Sequence, residues 1–335
     1  MTTRIAINGF GRIGRLVMRS IIETGRSDVE IVGINSTGTA KDNAHLLRYD
    51  TVHGRLNQDV TVDGETMDYG RGKIRFSSER DPRLIPWQDL DVDIVMECTG
   101  IFTDRDKAAA HFDNGSKRVL VSAPANNADL TVVYGINHDQ ITADHHVVSN
   151  ASCTTNCLAP VAAVLDEAFG IESGFMTTIH SYTGDQPTLD KNHKDLYRAR
   201  AAATNMIPTT TGAARAVALV LPQLKGKLDG VAIRVPTANV SAVDLTFQTQ
   251  KAVSVEAIND AIRQAADGPL KGILGYTDEQ LVSSDFNHDP HSSIFHMDQT
   301  KVMENGLCRV LSWYDNEWGF SMRMVDNAVA MGKLL

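Results

Sequence analysis

The sequence predicts an α/β plus α+β architecture, with a parallel, helix-covered sheet in the N-terminal domain and a mostly antiparallel sheet in the C-terminal domain. In the first half, short apolar runs alternate with segments of helical spacing, and this alternation is typical of a parallel sheet. After Asn150, apolar and polar residues alternate along the strands, which is typical of an antiparallel sheet. We therefore predict one domain over residues 1–150 and another over 151–316.

In the first domain, each apolar run or periodic segment predicts one element. The segment 15–25 has helical spacing and ends at Gly25. The predicted strands are the apolar runs 4–8, 30–35, 93–100 and 117–124. Short apolar runs can also be buried helix segments, but their regular alternation with a helical pattern favours the sheet.

In the second domain, a helix over 157–170 precedes a strand that starts at residue 174 and runs into a loop by residue 185. The segments 231–250 and 309–316 are rich in β-forming residues and alternate in polarity. The final segment, 322–335, has helical spacing. No internal repeat, low-complexity tract or long flexible linker interrupts this order.

The composition excludes several classes of protein. The chain has 335 residues and a formal net charge of −9, without a run of basic residues, so a nucleic-acid partner is not expected. Four cysteines are too few for a disulfide scaffold, and no apolar run has membrane-spanning length. The first residues lack the apolar segment of a signal peptide. We expect a soluble cytoplasmic protein that does not bind a membrane.

The glycines Gly9, Gly11 and Gly14 form a GxGxxG loop between a predicted strand and a predicted helix. In that context the first glycine permits a tight turn, the second lets a pyrophosphate approach the backbone, and the third lets helix and strand pack closely. A purely structural turn is the alternative. The pattern predicts a Rossmann-like dinucleotide-binding domain, although Asn35 and Ser36 stand where such domains usually place an acidic residue for the ribose.

The stretch NASCTTNC, residues 150–157, contains two cysteines four residues apart. Cys153 lies just before a predicted helix, where free N–H groups and the helix dipole should lower the pKa of its thiol. Cys157 lies one turn further on and is expected to face the core. A disulfide across one helical turn is geometrically disfavoured, and no clustered Cys/His set indicates a zinc site. Cys153 is therefore a candidate nucleophile and no metal is predicted.

A reactive cysteine needs a base, and His180 lies at the end of a predicted strand in TTIHSYTGD. A lone histidine is more often a satisfied polar group than a catalytic one. From its position alone, His180 is a candidate partner for Cys153 and no more than that.

Several longer motifs resemble those of phosphorylating glyceraldehyde-3-phosphate dehydrogenases. The resemblance runs in order from Ile5 to the last helix without obvious gaps. Its motifs are INGFGRIGR, SNASCTTNCLAP, TTIHSYTGDQ, HKDL, TTTGAARAV, RVPTANVSAVDLT and SWYDNEWG. We therefore expect the fold and chemistry of this dehydrogenase family, with the helix 317–335 returning to the first domain.

The resemblance implies catalytic and anion-binding roles. Cys153 would be the nucleophile and His180 its activating base, through a cysteine thiohemiacetal and a thioester. The residues that resemble the inorganic-phosphate site are Ser152, Thr154, Thr211 and Gly212. The residues that resemble the site for the phosphate of the substrate are Thr183 and Arg234, with Arg198 as a further anion contact. Tyr197 stands where the family often has an arginine.

The resemblance also implies a cofactor site for NAD. Besides Gly9, Gly11 and Gly14, its members would be Arg12, Ile13, Asn35, Ser36, Arg80, Thr99, Gly100, Ser122 and Asn316. NAD-specific relatives have an aspartate at the position of Ser36, and often a Leu-Pro pair where this chain has Lys191-Asn192. A serine and a lysine suit a 2′-phosphate, so NADP is expected as a second cofactor. The alternative is that Ser36 is neutral and Lys191 only a solvated charge.

Three other functions fit part of the sequence. Erythrose-4-phosphate dehydrogenase is suggested by DFNHDPHSS and DNEWGF, but Thr183 and the intact TTTGAA favour the phosphorylating triose enzyme. A redox sensor would not need His180 with two anion sites. A Cys–His hydrolase would leave the glycine loop without a use. The resemblance further implies a homotetramer in which the loop 181–205 reaches across an interface.

Overall fold

A computed structural model of the protein describes residues 2–335. The described chain divides into two compact units. The first comprises the described residues up to Ala151 together with Ser321–Leu335, and the second comprises Ser152–Phe320. Each unit is built around one large sheet.

Within the described residues, nine strands of the first unit form a sheet in the order β10-β11-β9-β8-β1-β2-β7-β6-β5. The strands from β10 to β7 pair in parallel, and β6 and β5 continue the sheet in antiparallel fashion. The bounds are β1 Thr3–Asn8, β2 Val29–Asn35, β3 Tyr49–Asp50, β4 Gly54–Arg55, β5 Thr61–Asp63, β6 Thr66–Asp68, β7 Lys73–Ser77, β8 Ile94–Glu97, β9 Arg118–Val121, β10 Leu130–Thr131 and β11 Val147–Ser149. The strands β3 and β4 form a separate hairpin.

The central strands β1, β8 and β9 are buried along nearly their whole length, as expected for a parallel sheet covered on both faces. The helices of this unit are α1 (Arg12–Glu23), α2 (Ala40–Arg48) and α3 (Arg105–Ala108). Helix α2 begins with a capping box between Thr39 and Asp42, which satisfies free N–H groups of its first turn.

The end of the last helix is fixed to the first unit by Arg118. The buried guanidinium of Arg118 donates to the carbonyl oxygens of Met331 at 3.0 Å, Leu334 at 3.2 Å and Ala143 at 3.1 Å. A Cβ atom on Gly332 would lie 2.1 Å from Oγ1 of Thr3, so helix and strand approach as closely as a glycine allows. The segment 321–335 therefore completes the first unit.

The second unit has a sheet in the order β13-β14-β12-β15-β19-β17-β16, with β18 paired to β19. Most neighbours are antiparallel, and the pairs β12–β14 and β16–β17 are parallel. The bounds are β12 Ile171–Ser181, β13 Ile207–Thr210, β14 Leu228–Val235, β15 Ser241–Thr249, β16 Leu274–Thr277, β17 Ser293–His296, β18 Lys301–Val302 and β19 Cys308–Tyr314. The helices are α4 Cys153–Phe169, α5 Ala213–Val220, α6 Val255–Asp267 and α7 Trp318–Gly332, whose residues from Ser321 onward belong to the first unit.

The predicted fold class is confirmed: a parallel-rich sheet precedes a mostly antiparallel one. Two predicted helices start earlier in the chain than expected. Helix α1 begins at Arg12 and helix α4 at Cys153, because each first turn lacks the apolar spacing on which the prediction relied. No helix in the described part of the chain is long and apolar enough to cross a bilayer.

Candidate active site

Cys153 is the first residue of helix α4, and Ser152 is its N-cap. The Ser152 hydroxyl accepts a hydrogen bond from the backbone N–H of Thr155 at 3.0 Å, which satisfies one free donor of the first turn. Ala151, just before the cap, adopts a φ of 56°. The turn that presents the thiol is therefore tight and fixed at both ends.

His180 lies near the end of β12 and faces the thiol. Its Nε2 atom is 3.5 Å from Sγ of Cys153, and its side chain is buried. Strand β12 runs between β14 and β15, so the imidazole is held by the centre of the sheet and not by a mobile loop. The structure thus brings together the predicted nucleophile and the predicted base.

The hydrogen bonds of the other ring nitrogen select one tautomer of His180. Nδ1 lies 2.7 Å from the carbonyl oxygen of Ser181, and only a protonated Nδ1 makes that contact favourable. Arg234 Nη1 lies 3.0 Å from the same Nδ1 and 3.1 Å from the same carbonyl. Since two donors do not bond each other, the guanidinium donates to the carbonyl. Nε2 then carries the lone pair that faces the thiol.

The expectation of a lowered thiol pKa is wrong for this geometry. Burial raises the pKa of the Cys153 thiol, although the charge of Arg234 and hydrogen bonds from Thr154 oppose the shift. Burial, followed by the charge of Arg234, lowers the pKa of His180 to about 3. The first turn of α4 is desolvated. This desolvation raises the pKa of the thiol by more than the helix N-terminus lowers it. The resting pair is therefore a neutral thiol and a neutral imidazole.

Tyr314 is a buried part of the site that the sequence did not reveal. Its hydroxyl lies 2.8 Å from Oγ1 of Thr154 and 2.8 Å from Oγ1 of Thr178. Its ring meets the ring of His180 edge to face, with centroids 5.9 Å apart. Thr154, predicted as a phosphate ligand, thus has its hydroxyl bonded to Tyr314 in this structure. Tyr314 joins α4, β12 and β19 around the imidazole.

Two cationic side chains lie beside the Cys153–His180 pair. Arg234, on β14, has its Nη1 atom 3.3 Å from Oγ1 of Thr183, and its buried Nε atom has no hydrogen-bond partner among the described residues. Arg198 donates to Asp185 at 3.2 Å and to Thr209 at 3.1 Å. The Thr183 hydroxyl also donates to Asp185. Asp185, which no motif singles out, therefore bonds to two of the predicted anion-binding residues, Thr183 and Arg198.

Thr211 and Gly212 lie at the start of α5. Gly212 is the N-cap residue, and the Thr211 hydroxyl accepts from the backbone N–H of Ala213 at 3.1 Å. The hydroxyl oxygen of Thr155, on the first turn of α4, lies 3.5 Å from the carbonyl oxygen of Ala213. The structure therefore brings two helix N-termini, those of α4 and α5, close together, and helix N-termini favour anions.

Asn316 is buried, and its side-chain oxygen is fixed by two serines. Ser181 Oγ and Ser241 Oγ each lie 2.8 Å from Oδ1 of Asn316. The neighbouring Asp315 accepts hydrogen bonds from the side chain of Asn239 at 2.8 Å and from the backbone of His288 at 2.7 Å. It also accepts from the backbone N–H groups of residues 317 and 318. This buried carboxylate therefore holds the turn on which Asn316 stands.

In the first unit, the glycine loop has the geometry that a dinucleotide requires. Gly9 has a φ of 93°, and a Cβ atom there would lie 2.7 Å from the Thr99 backbone nitrogen. A Cβ atom on Gly14 would lie 2.2 Å from the Gly9 carbonyl oxygen. A Cβ atom on Gly11 would meet no described atom within 4 Å. Two glycines are thus needed for packing, and the third leaves open space where a pyrophosphate can approach the backbone.

Asn35 stands at the end of β2 and uses all its side-chain hydrogen-bonding capacity within the protein. Its amide nitrogen donates to Asn8 and to the Glu79 carbonyl, each at 2.8 Å. Its oxygen accepts from Ser77 at 3.0 Å and from the Glu79 N–H at 2.8 Å. Asn35 therefore fixes the segment before the exposed Arg80. Ser36, beside it, is half-buried.

Arg80, Arg83, Phe102 and Lys107 line a cavity of ≈ 440 Å³, together with the carboxylates of Asp81 and Asp106. The carboxylates offset most of the positive charge, so the lining alone does not mark an anion site. This cavity belongs entirely to the first unit.

The predicted residues Thr99 and Gly100 follow β8, where a buried chain of polar groups fixes the backbone. Glu97 accepts from the backbone N–H of Thr99 at 2.8 Å and from the Asn8 side chain at 2.6 Å. It also lies 3.0 Å from Nε2 of His111, whose Nδ1 accepts from Trp87 at 3.1 Å. No sequence motif indicates these buried hydrogen bonds. Their effect is to hold Asn8 and Thr99 beside the glycine loop.

Ser122 stands where β9 ends. Its backbone N–H donates to the carbonyl of Glu97 at 3.0 Å, and its side chain bonds to the thiol of Cys98. Ser122 is half-buried, so it shares the carboxyl edge of the sheet with the residues after β8.

Arg12 and Ile13 form the first turn of α1 and are both half-buried. Arg12 pairs with Asp50, and Asp50 also accepts from the backbone N–H groups of Val52 and His53 at 2.9 Å. These bonds lower the pKa of Asp50 to about 2, although burial opposes the shift. The Arg12 side chain is therefore held in one place.

Lys191 and Asn192 are exposed and belong to the second unit. With Asp190, His193 and Arg200 they help to line a cavity of ≈ 410 Å³ in the loop 181–205. No group of three or more His, Cys, Asp and Glu side chains suited to a metal occurs over residues 2–335.

A dinucleotide-binding fold combined with a paired thiol and imidazole defines the class of nicotinamide-linked oxidoreductases that use a cysteine nucleophile. Residues 3–105 match the family described as "Glyceraldehyde 3-phosphate dehydrogenase, NAD binding domain". Residues 152–316 match "Glyceraldehyde 3-phosphate dehydrogenase, C-terminal domain". The chain belongs to the glyceraldehyde-3-phosphate dehydrogenase family, and the predicted resemblance is confirmed.

Relatives that carry this name match the whole chain. The glyceraldehyde-3-phosphate dehydrogenase of Cereibacter sphaeroides is 67% identical over 335 residues, with 100% of both chains covered. That of Xanthobacter flavus is 67% identical over 334 residues. That of Zymomonas mobilis is 56% identical over 337 residues. Full coverage at this identity places both units of the chain within one enzyme family.

Proposed function

We propose that this protein catalyses the oxidative phosphorylation of glyceraldehyde 3-phosphate to 1,3-bisphosphoglycerate with reduction of NAD. The observation that carries the proposal is the 3.5 Å approach of Cys153 Sγ to His180 Nε2, with the hydrogen bond that leaves Nε2 unprotonated. The reaction serves glycolysis and gluconeogenesis, and it takes place in the cytoplasm, where a free thiol stays reduced.

The first step adds the thiol to the aldehyde. His180 Nε2 takes the proton of Cys153 as sulfur bonds to the carbonyl carbon, and it returns that proton to the former carbonyl oxygen. The product is a thiohemiacetal with a neutral imidazole. A neutral resting pair suits this step, because Nε2 is free to accept a proton.

The second step oxidises the thiohemiacetal to a thioester. NAD supplies the hydride acceptor. His180 takes the hydroxyl proton as the hydride leaves the same carbon, so the carbon–oxygen double bond forms again. Asn316 would orient the carboxamide of the nicotinamide. The glycine loop, with Arg12 and Thr99, would hold the pyrophosphate end.

The third step transfers the acyl group to inorganic phosphate. A phosphate oxygen attacks the thioester carbon and the carbon–sulfur bond breaks. The sulfur of Cys153 takes the proton that His180 received in the second step, and the proton of the phosphate passes to solvent, so the neutral pair is restored. The helix N-termini at Ser152 and Gly212 support an anion site for the attacking phosphate. Arg234 and Thr183 support a site for the phosphate that the substrate already carries, and Arg198 adds positive charge beside both.

Two variants and one omission test this assignment. Cys153→Ser should abolish dehydrogenase activity, and His180→Asn should reduce kcat by about 100-fold or more, in the range of lost general-base catalysis. Omission of phosphate and arsenate should stop turnover after the thioester forms. Undiminished turnover without either anion would instead support hydrolysis, as in the erythrose-4-phosphate enzyme, and full activity of Cys153→Ser would refute the catalytic role of the thiol.

We propose further that NADP is accepted beside NAD. Ser36 lacks the negative charge that would repel a 2′-phosphate, and Lys191 of a neighbouring subunit would supply a cation. Lys191→Leu combined with Asn192→Pro should lower the specificity constant for NADP roughly tenfold and spare NAD. Lys194→Leu, a change at an exposed lysine of the same loop, is the matched control. An unchanged NADP/NAD ratio, or a wild-type preference for NAD of about a thousandfold, would contradict the proposal.

We also propose a homotetramer. One face of the second unit's sheet exposes Phe175, Ile179 and Val231, and the loop 181–205 exposes Leu189 and Leu196, the latter at 82%. Large apolar side chains grouped on one surface are typical of protein interfaces. Sedimentation at micromolar concentration should give about four times the chain mass of 36.5 kDa, and a monomer there would refute the assembly.

A further inference from the structure

We propose that Ser181 is a positioning residue that sets the amide orientation of Asn316, so that the amide nitrogen is presented to the nicotinamide. The inference rests on the proposed function, because it concerns how this chain binds the nicotinamide end of its cofactor. Ser181 follows His180 directly and is fully buried. Neither its hydroxyl nor its carbonyl belongs to the reacting groups, but the carbonyl contacts the base His180 and the hydroxyl contacts Asn316.

Two hydroxyl groups converge on one atom of Asn316. Ser181 Oγ and Ser241 Oγ both lie 2.8 Å from its Oδ1. Ser241 Oγ also accepts the backbone N–H of Ser181 at 3.1 Å. The two serine oxygens are 3.4 Å apart, which is too far for a good bond between hydroxyl groups. Asn316 is thus the natural acceptor for both hydroxyl protons.

The orientation of the amide follows from counting donors and acceptors. With Oδ1 between the serines, each hydroxyl proton has an acceptor, and the lone pair of Ser241 receives the Ser181 N–H. With the amide reversed, the nitrogen would donate to the serines, and two buried hydroxyl protons would lack a good partner. A buried donor without a partner is costly. The serine pair therefore keeps the amide nitrogen pointed away from itself.

The carbonyl of the same residue fixes the base. It accepts from Nδ1 of His180 at 2.7 Å and from Arg234 at 3.1 Å. Ser181 therefore fixes the tautomer of the imidazole through its backbone and the amide of Asn316 through its side chain. Removal of the hydroxyl should disturb only the second of these, which makes the two roles separable by experiment.

The test measures binding of two ligands that differ in the nicotinamide alone. Isothermal titration of the tetrameric enzyme with NAD and with ADP-ribose should be done for wild type, Ser181→Ala, Ser241→Ala and the double variant. We expect the Kd for NAD to rise about threefold in each single variant and about tenfold or more in the double variant. The Kd for ADP-ribose should stay within about twofold, because that ligand lacks the ring that Asn316 faces.

Ser312→Ala is the matched control, because its buried hydroxyl lies on the same sheet and has no hydrogen-bond partner over residues 2–335. It should leave both Kd values unchanged. Alkylation of Cys153 by iodoacetamide should proceed in Ser181→Ala at the wild-type rate within about twofold, since the carbonyl that fixes His180 remains. If the affinities for NAD and ADP-ribose fell equally in Ser181→Ala, or if the affinity for NAD did not fall, the role of Ser181 would be overturned. Failure of wild type to bind either ligand would instead refute the proposed function.

Discussion

Arg234 Nη1 lies 3.0 Å from Nδ1 of His180, so a fixed positive charge adjoins the imidazole that faces Cys153. This charge lowers the pKa values of both the thiol and the imidazole. Arg234→Gln removes it, so the pKa of the thiol should rise further and less thiolate should be present at neutral pH. Alkylation of Cys153 by uncharged iodoacetamide should slow roughly tenfold, the effect of one pKa unit.

The anionic reagent iodoacetate separates the two effects of Arg234. In Arg234→Gln the alkylation rate with iodoacetate should fall by a larger factor than the rate with iodoacetamide, because the anion also loses its attraction to the guanidinium. Arg263→Gln, on the exposed surface of α6, should change neither rate. Equal losses for the two reagents would show that Arg234 acts on the thiol but does not attract anions.

Substitution by alanine should impair different properties at two glycines of the loop: stability at Gly14 and NAD binding at Gly11. A Cβ atom on Gly14 would lie 2.2 Å from the Gly9 carbonyl, so Gly14→Ala should lower the melting temperature by several degrees through backbone overlap. Gly11 has open space and a φ of −77°, which alanine adopts freely. Gly11→Ala should therefore keep the melting temperature and weaken NAD binding at least about tenfold, as measured by calorimetry. A large loss of stability in Gly11→Ala would contradict this division.

Asp50 should contribute stability that is lost in acid. Its pKa is lowered from the ordinary value of 3.8 to about 2, because hydrogen bonds from Arg12 and from the backbone outweigh burial, which opposes the shift. A lowered pKa stabilises the folded state above the unfolded-state value, and the contribution, about 2 kcal/mol, disappears as the pH falls from about 4 to 2. Asp50→Asn should unfold more easily than wild type at pH 6, and the difference should shrink toward pH 2. Asp59→Asn, at an exposed carboxylate, should track wild type across this range.

Glu97 should be needed as an acceptor and not only as a buried side chain. It receives donors from Asn8, Thr99 and His111. Glu97→Gln replaces one acceptor oxygen with a donor that faces other donors, and this should cost about 2 kcal/mol or more. Thermal unfolding and a shift of tryptophan emission, through the bond between His111 and Trp87, would report the loss. Glu65→Gln is the exposed control, and equal stability of both variants would contradict the role assigned to Glu97.

The fold could be predicted because its strands and helices are encoded locally. The parallel strands of the first unit are apolar along nearly their whole length, and helix α1 has regular apolar spacing. The start of α4 was harder to place. Its first turn, at Cys153, is set by the Ser152 cap and by burial against the rest of the unit, and apolar spacing does not encode either.

The sequence predicted only those site residues to which a motif assigns a role. Cys153 and His180 are 27 positions apart, and the motifs did lead to both. Tyr314 and Ser181 were missed because they become part of the site through pairings between distant strands. Asp185 was missed because its bonds to Thr183 and Arg198 depend on how the loop 181–205 folds. Burial of the thiol, which reverses the expected direction of its pKa shift, is a tertiary effect. It could not be inferred from the helix terminus alone.

The hydrogen bonds from Arg118 to the carbonyls of Met331 and Leu334 have a consequence for how the chain folds during synthesis. The first unit needs residues 321–335, which the ribosome makes only after all of Ser152–Phe320. Domains fold as units while the chain emerges, so the continuous second unit can finish while the N-terminal sheet still lacks its last helix. The half of the protein that is made first is therefore completed last, and until then the guanidinium of Arg118 lacks two of its three carbonyl partners.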